Sequence, residues 1–319
     1  MTPMNWADRI GRRLKLRDLH ILLAVAQWGS MTKAAGQLSV SNPVVSKAIA
    51  DLEHTLGVRL LDRSSQGVEP TTYGHALLGR GLAAFDELRQ AVKFIEFLAD
   101  PTAGEVRIGT SVALGSGFVC AVVDRLIRKY PRITLHLLTA ESETTYRALE
   151  ERKVDLVIAR MFQPIAQDHL QAEVLYLEPQ VVVASAKNPW TRRRKVALGD
   201  LMNEPWTLPP PESLSGSVIA EAFRAHGCGL PRTAVIASTV PVRDALLASG
   251  RFITIVPDSV LKFPTKNTAI RRLRIELPTA RRPIAIVTLK NRSLNPVTQV
   301  FVEASREVAK SLDAREQEN

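Results

Sequence analysis

The stretch SMTKAAGQLSVSNPVVSKAIADLEHTLGVRLLDR, residues 30–63, is the most decisive part of the chain. Ser30 is a good N-cap, and behind it Ala34, Ala35 and Leu38 recur at helical spacing, which predicts a short first helix. Ser39-Val40 forms the turn. Ser41 is placed to cap the next helix, and Pro43 falls in that helix's first turn, where a missing N–H costs nothing. Val45, Ile49, Leu52 and Leu56 then step by 4, 3 and 4, a single apolar stripe. The opposite face carries Asn42, Ser46, Lys47 and Ala50, small or hydrogen-bonding side chains that let a backbone lie deep in a groove. Gly57 ends the helix as a left-handed terminal residue would. Two helices so joined present the second to the major groove of DNA.

The flanks complete a unit. Leu19, Leu22, Leu23 and Ala26 form the stripe of a preceding helix, stopped at Gly29. Downstream, VRLLDRSSQGVEPTTYG reads as a strand, a polar Ser-Ser-Gln-Gly turn and a second strand, a hairpin wing with Arg63 near its start and the hydroxyls of Thr71 and Thr72 at its end. The competing interpretation is a three-helix packing unit without a DNA role; the helix–helix–wing order and the polar outer face argue against it.

This segment resembles the N-terminal winged helix-turn-helix of the LysR-type transcriptional regulators. Ala34, Ala35, Leu38, Ser41, Pro43, Ser46, Ile49, Leu52, Glu53, Leu56, Gly57, Leu60 and Arg63 match that family's pattern. Asn42 stands where the family usually has Gln, and Leu61 where it usually has Phe. Leu61 is a core exchange, whereas Asn42 is one methylene shorter at a base-reading position and implies a different half-site preference. The expected DNA-contacting set is Thr32, Lys33, Ser41, Asn42, Pro43, Val44, Ser46, Lys47, Arg63, Thr71 and Thr72. Of these, Asn42, Pro43, Val44 and Lys47 are expected near base edges. Thr32, Lys33, Ser46, Thr71 and Thr72 are expected on phosphates.

At 319 residues the chain is long enough for two or three domains. Its 45% hydrophobic and 23% charged composition is that of an ordinary globular protein. No apolar run reaches the roughly 18–20 residues of a membrane span, and the N-terminal residues lack the pattern of a secretory signal, so no membrane partner and a cytoplasmic location are expected. The net charge is +10, but residues 1–72 hold only 9 Lys/Arg against 6 Asp/Glu. Most of the excess lies further on, in clusters such as Arg192-Arg193-Arg194-Lys195, and supports a polyanionic partner only weakly. Cys120, read as core, and Cys228 are far apart, and the six histidines are scattered, so neither a metal site nor a cofactor is expected.

Residues 73–98 contain no proline, and Leu78, Gly81, Phe85, Leu88, Val92 and Ile95 step by 3, 4, 3, 4 and 3, a heptad seam. A lone helix with this seam would expose a long apolar stripe, so a partner helix is expected, with Leu78, Phe85, Leu88, Val92 and Ile95 at the contact and a partner's Phe85 or Phe94 in the gap at Gly81. The alternative is folding back on the same domain. The resemblance implies an antiparallel pairing of two chains, and a two-fold protein suits a two-fold DNA site.

Beyond a hinge at 99–105, strand and helix alternate: strands at Val106–Gly109, Ile133–Leu138, Asp155–Ala159, Gln180–Ala184, Thr233–Ser238, Phe252–Val256 and near 270–277 and 284–289, with helices near 116–130, 143–153, 241–249 and 295–312. This predicts a doubly wound, largely parallel α/β sheet. The resemblance implies two subdomains like those of type II periplasmic binding proteins, subdomain I at 106–177 and 280–319 and subdomain II at 178–279. The whole is expected to divide into a 1–72 DNA-binding domain, a 73–98 linker helix, the hinge and a 106–319 effector-binding domain.

Ligands of such sheets gather beyond the strands' carboxyl ends. That places Thr110, Ser111, Ser142 and Arg160 on one side of a cleft and Pro209, Ser238 and Thr239 on the other, a set suited to a carboxylate or a sugar derivative. Arg160 is the foremost member, since an arginine there can take a carboxylate bidentately. The competing role for each hydroxyl is ordinary helix capping. No dinucleotide, P-loop, nucleophile-elbow or zincin motif occurs, so no catalytic residue is assigned. The expected function is a DNA-binding transcriptional regulator switched by a small effector, acting as a homodimer or dimer of dimers, with RNA polymerase as a further partner. The alternative is an effector-independent DNA-binding protein whose C-terminal part only oligomerises.

Overall fold

The structure is a computed structural model that describes residues 13–64, 67–231, 234–263, 269–275, 277 and 281–317. The residues before 13, the tip of the wing at 65–66, and residues 233 and 280 of the expected strand and crossover lie outside it. The chain falls into two compact units, residues 1–92 and 93–319, each described by itself.

The first unit contains α1 (Leu16–Trp28), α2 (Met31–Gln37), α3 (Asn42–Leu56), β1 (Leu61–Ser64), β2 (Gly67–Pro70) and most of α4 (Thr72–Ala99). Leu22, Val25, Ala34, Val45, Ile49, Leu52 and Leu60 interlock as its core. The strands pair antiparallel as a wing, with Arg63 opposite Val68. Gly74 lets α4 start against the wing: a Cβ there would lie 2.1 Å from the Leu60 carbonyl oxygen.

The second unit has two five-stranded sheets. In chain order its elements are β3 (Ala103–Thr110), α5 (Val112–Leu114), a π-helical turn (Gly115–Val119), α6 (Cys120–Lys129), β4 (Arg132–Thr139), α7 (Ser142–Glu150), β5 (Leu156–Arg160), β6 (Leu170–Glu178), β7 (Gln180–Ser185), β8 (Trp206–Leu208), α8 (Leu214–Ala225), β9 (Ala234–Ile236), α9 (Val240–Ala248), β10 (Ile253–Pro257), α10 (Ser259–Lys262), β11 (Ile270–Arg272), β12 (Arg282–Leu289) and α11 (Pro296–Gln317). One sheet has the order β4-β3-β5-β12-β6 and the other β11-β7-β10-β8-β9, so the chain passes between them after Glu178 and returns before Arg282.

α6 and α11 cover one face of the first sheet through Phe118, Val122, Leu126 and Phe301. Leu149 of α7 packs on the other face with Val157 and Val287. The second sheet is centred on Trp206, whose ring meets Phe223 edge-on at 5.3 Å and whose indole N–H donates to the Leu201 carbonyl at 2.8 Å. Arg292 ties the segment before α11 to β5 through a buried ion pair with Asp155 at 2.9 Å.

Several sequence expectations are corrected here. The sheets are mixed rather than largely parallel. β5 and β6 both run toward the crossover, and β12, returning from the second sheet, inserts antiparallel between them. β6 was missed because it is an edge strand that exposes most of its residues and shows no clear apolar run. α8 is absent from the expected helices because its start, Ser213-Leu-Ser-Gly-Ser, carries turn residues. There the Ser213 hydroxyl caps the helix and Gly216 passes so near the Pro210 carbonyl that a Cβ would lie 1.9 Å from its oxygen. Cys120 is exposed rather than core.

Candidate functional site

Three parts of the structure carry functional chemistry: the α2–α3 face with its wing, the exposed part of α4, and a cavity in the second unit.

α2 begins at Ser30, whose hydroxyl accepts from the Lys33 N–H, and ends in a turn where Ser39 takes a left-handed φ of 54°. Ser41 precedes α3 without a side-chain capping bond, contrary to its expected role, so its exposed hydroxyl is free to face outward. α3 buries Val45, Ala48, Ile49 and Leu52, and this turns Asn42, Pro43 and Lys47 out to solvent, with Val44 and Ser46 half-buried at the margin. Thr32 and Lys33 are exposed on the neighbouring helix, and the Asn42 amide donates to the Thr32 hydroxyl at 3.4 Å, joining the two helices across this face. Gly57 closes α3 with φ of 73°. The wing is fixed to α3 by Glu53, whose carboxylate accepts from the Leu60 and Leu61 N–H groups at 2.8 and 3.3 Å. Sequence reasoning had matched Glu53 to the family pattern without seeing this task. Arg63 and Thr72 are exposed. Thr71 is not available in the way expected: its hydroxyl donates to the Arg59 carbonyl at 2.8 Å and accepts from the Gly74 N–H at 3.0 Å. It is the joint between wing and α4.

The seam on α4 divides. Leu77, Leu78 and Phe85 pack against the core of the first unit, Phe85 with its ring 5.6 Å from that of His20. Gly81 is filled by Leu19, whose side chain would lie 2.9 Å from a Cβ there, so no partner's phenylalanine enters this gap. Leu78 and Phe85 are therefore corrected from intermolecular to intramolecular packing. Three-residue and four-residue steps serve either partner equally, and the sequence alone does not choose. Further along, Leu88, Val92 and Ile95 stay exposed at 48%, 53% and 65%.

In the second unit a cavity of about 120 Å³ opens between the two sheets' helices. Of the seven expected effector residues only Arg160 lines it. The Thr110 hydroxyl is fully buried and donates to the Ile158 carbonyl at 3.1 Å, bonding β3 to β5. Ser111 caps α5, accepting from the Leu114 N–H. Ser142 opens α7, where its carbonyl accepts from the Thr145 hydroxyl at 2.9 Å. Pro209 is buried, and Ser238 and Thr239 are exposed away from the cavity wall. Of these hydroxyls, that of Ser111 meets the local demand of a helix start for its unpaired N–H groups.

Arg160 itself is corrected from a free carboxylate receptor to half of a buried ion pair. It donates to Glu178, and both side chains are almost wholly enclosed, at 8% and 1% exposure. The other Glu178 oxygen accepts from the Ser259 N–H at 3.1 Å. One carboxylate at the end of β6 thus holds the end of β5 and the start of α10 together. The residues that reach the cavity and were missed include Ser116, Gln180, Ser215, Arg243 and Asp244. Arg243 had one sequence signal: it is a cation near the N-terminal end of α9, where the helix dipole opposes positive charge, a placement that needs a reason. Among the described residues there is no group of three His, Cys, Asp or Glu placed to hold a metal ion, and no helix long and apolar enough to cross a membrane.

Residues 16–75 match the family described as "Bacterial regulatory helix-turn-helix protein, lysR family", and residues 99–310 match "LysR substrate binding domain". Among curated proteins, the chain is 27% identical over 311 residues to the HTH-type transcriptional regulator GbpR of Azospirillum brasilense, covering 95% of this chain and 89% of that one. It is 26% identical over 294 residues to the HTH-type transcriptional regulator TdcA of Escherichia coli strain K12, covering 92% and 93%. Among solved structures, a full-length OxyR variant from Pseudomonas aeruginosa has a TM-score of 0.64 at 20% identity, with 93% of this chain and 95% of that chain covered. Full-length CbnR in complex with its target DNA has a TM-score of 0.53 at 24% identity, covering 93% and 100%. These two show the shared fold. With its winged helix-turn-helix, long connecting helix and two-sheet effector unit, the chain belongs to the LysR family of bacterial DNA-binding transcriptional regulators.

Proposed function

We propose that the outward face of α3 reads the operator, that the exposed part of α4 pairs two chains, and that a small effector bound in the interdomain cavity of the second unit switches the protein between operator-bound states. The observation that carries the first part is the burial pattern of α3: Val45, Ala48, Ile49 and Leu52 inward leave Asn42, Pro43 and Lys47 unobstructed, with Arg63 and Thr72 on the adjoining wing and helix start. A helix so supported can enter the major groove while flanking hydroxyls and cations take phosphates. The structure of full-length CbnR on its target DNA, a LysR-type fold, lends this reading support. The proposed contact set is Thr32, Lys33, Ser41, Asn42, Pro43, Val44, Ser46, Lys47, Arg63 and Thr72.

A homodimer, or a dimer of dimers, then matches a two-fold promoter site, and the effector changes how those DNA-bound assemblies meet RNA polymerase in the cytoplasm. The protein acts as a regulator and not as an enzyme. An effector can shift DNA binding only by binding two arrangements of the protein unequally. The effector-independent alternative is the weaker reading, since the cavity holds charged side chains that pair with no side chain among the described residues.

Footprinting of the purified protein on DNA upstream of its own gene tests the DNA assignment. Lys47→Ala is expected to cost about 1–3 kcal/mol of site affinity and to relax preference at one base pair. Thr72→Ala is expected to weaken all sequences alike. Unchanged affinity of both variants across a panel of sites would remove α3 from the groove.

A further inference from the structure

The cavity is charged but not self-satisfied. Arg243 and Asp244 are neighbours on α9, both line the cavity and both are half-buried, yet neither side chain makes a hydrogen bond or ion pair with any described residue. Burial pushes the Arg243 guanidinium below its ordinary value, opposed by the charge of Asp244. Burial likewise raises the Asp244 carboxyl, opposed by Arg243. Half-enclosed charges are costly unless something supplies the missing partner. By contrast Arg160, on the opposite wall, is already neutralised by Glu178.

The remaining lining has a consistent polarity. Ser215 lies in the first turn of the twelve-residue α8 and lines the cavity with Arg243, so the same cavity offers a carboxylate a cation and the positive end of a helix. Asp244 offers one negative charge nearby. Ile219, Val240, Val260, Phe263 and Ile270 make an apolar stretch of the wall, beside the polar Ser116, Gln180 and Thr254. The charges without a side-chain partner among the described residues sum to zero. A second negative charge on the ligand would face Asp244, and a neutral sugar supplies no counter-charge to either group.

Resting on the reading of this cavity as the effector site, we propose that the effector is a small zwitterion, an α-amino acid with an apolar side chain. Its carboxylate pairs with Arg243 and its ammonium with Asp244. Its side chain lies against Val260 and Phe263. The cavity volume of about 120 Å³ restricts it to a single small molecule.

Calorimetric titration of the full-length protein with L-valine, L-leucine, L-isoleucine, L-methionine and L-phenylalanine tests this, beside the deaminated acid and the decarboxylated amine of each, succinate and glucose. At least one amino acid is expected to bind about ten-fold or more tightly than either of its own truncated analogues. Arg243→Gln is expected to weaken the amino acid about ten-fold or more while leaving the unliganded melting temperature unchanged or higher, because the side chain it removes has no partner among the described residues. Asp244→Asn is expected to abolish the preference for the amino acid over the deaminated acid. Failure of every amino acid to bind, equal binding of the truncated analogues, or an unaffected Arg243→Gln variant overturns the proposal. Ser116→Trp, at an exposed position on the cavity rim, separates the two levels of the reading. If succinate or glucose binds instead and Ser116→Trp blocks it, the cavity stands and the zwitterion falls. If an amino acid binds undiminished to Ser116→Trp, its site lies elsewhere and both fall.

Discussion

Glu178→Ala is expected to destabilise the effector unit by about 3–5 kcal/mol, because it leaves the Arg160 guanidinium enclosed without its counter-charge. The Ser259 N–H, buried at the start of α10, loses its acceptor in the same step. The loss should appear as a lower urea midpoint for the transition reported by the fully buried Trp206. Replacing both partners with apolar residues, Arg160→Met with Glu178→Leu, is expected to restore most of the stability, since a well-packed apolar pair removes the desolvation cost on both sides. A midpoint for Glu178→Ala within about 1 kcal/mol of the parent would show that the pair does not hold β5, β6 and α10 together. Arg160→Ala belongs to the same comparison. Any loss of effector response in that variant is expected to come with loss of stability, which separates Arg160 from Arg243.

The second large effect lies on α4. Val92→Glu is expected to turn the protein into a monomer and to lower affinity for a two-fold operator by about 10²–10⁴, the factor contributed by linking two binding modules. Val92 is 53% exposed in the single chain, so a charge there leaves the fold of the first unit intact and acts only on association. Phe85→Glu makes the contrast: its ring packs in the first unit's core, so that variant is expected to unfold the DNA-binding unit itself. Sedimentation of Val92→Glu as an intact dimer would rule out this part of α4 as the pairing surface.

The segment between residues 16 and 64 was legible because its information is local. Caps, a Pro in the first helical turn, a 4-3-4 apolar stripe and a terminal glycine each act over a few residues, and Ser30, Pro43, Val45, Ile49, Leu52 and Gly57 occupy the places those rules assign. The alternation of strands and helices was legible for the same reason, apart from the edge strand β6, the three-residue β8, the short helices α5 and α10, and α8 with its glycine-containing start.

What the sequence could not decide were choices between partners of equal local merit. Leu78 and Phe85 carry the same spacing as Leu88 and Val92, and only the position of Leu19 against Gly81 makes one half of the seam internal. Thr110, Ser111 and Arg160 have the chemistry of ligand contacts, but a carbonyl, a helix end and Glu178 already engage them. Arg243 carried only the weak signal of a cation near a helix N-terminus, and its significance is that no side chain among the described residues meets it. Local pattern determined which elements form and which faces are apolar or polar. Only the tertiary structure decided which polar groups are already engaged, because that depends on distances between residues far apart in the chain.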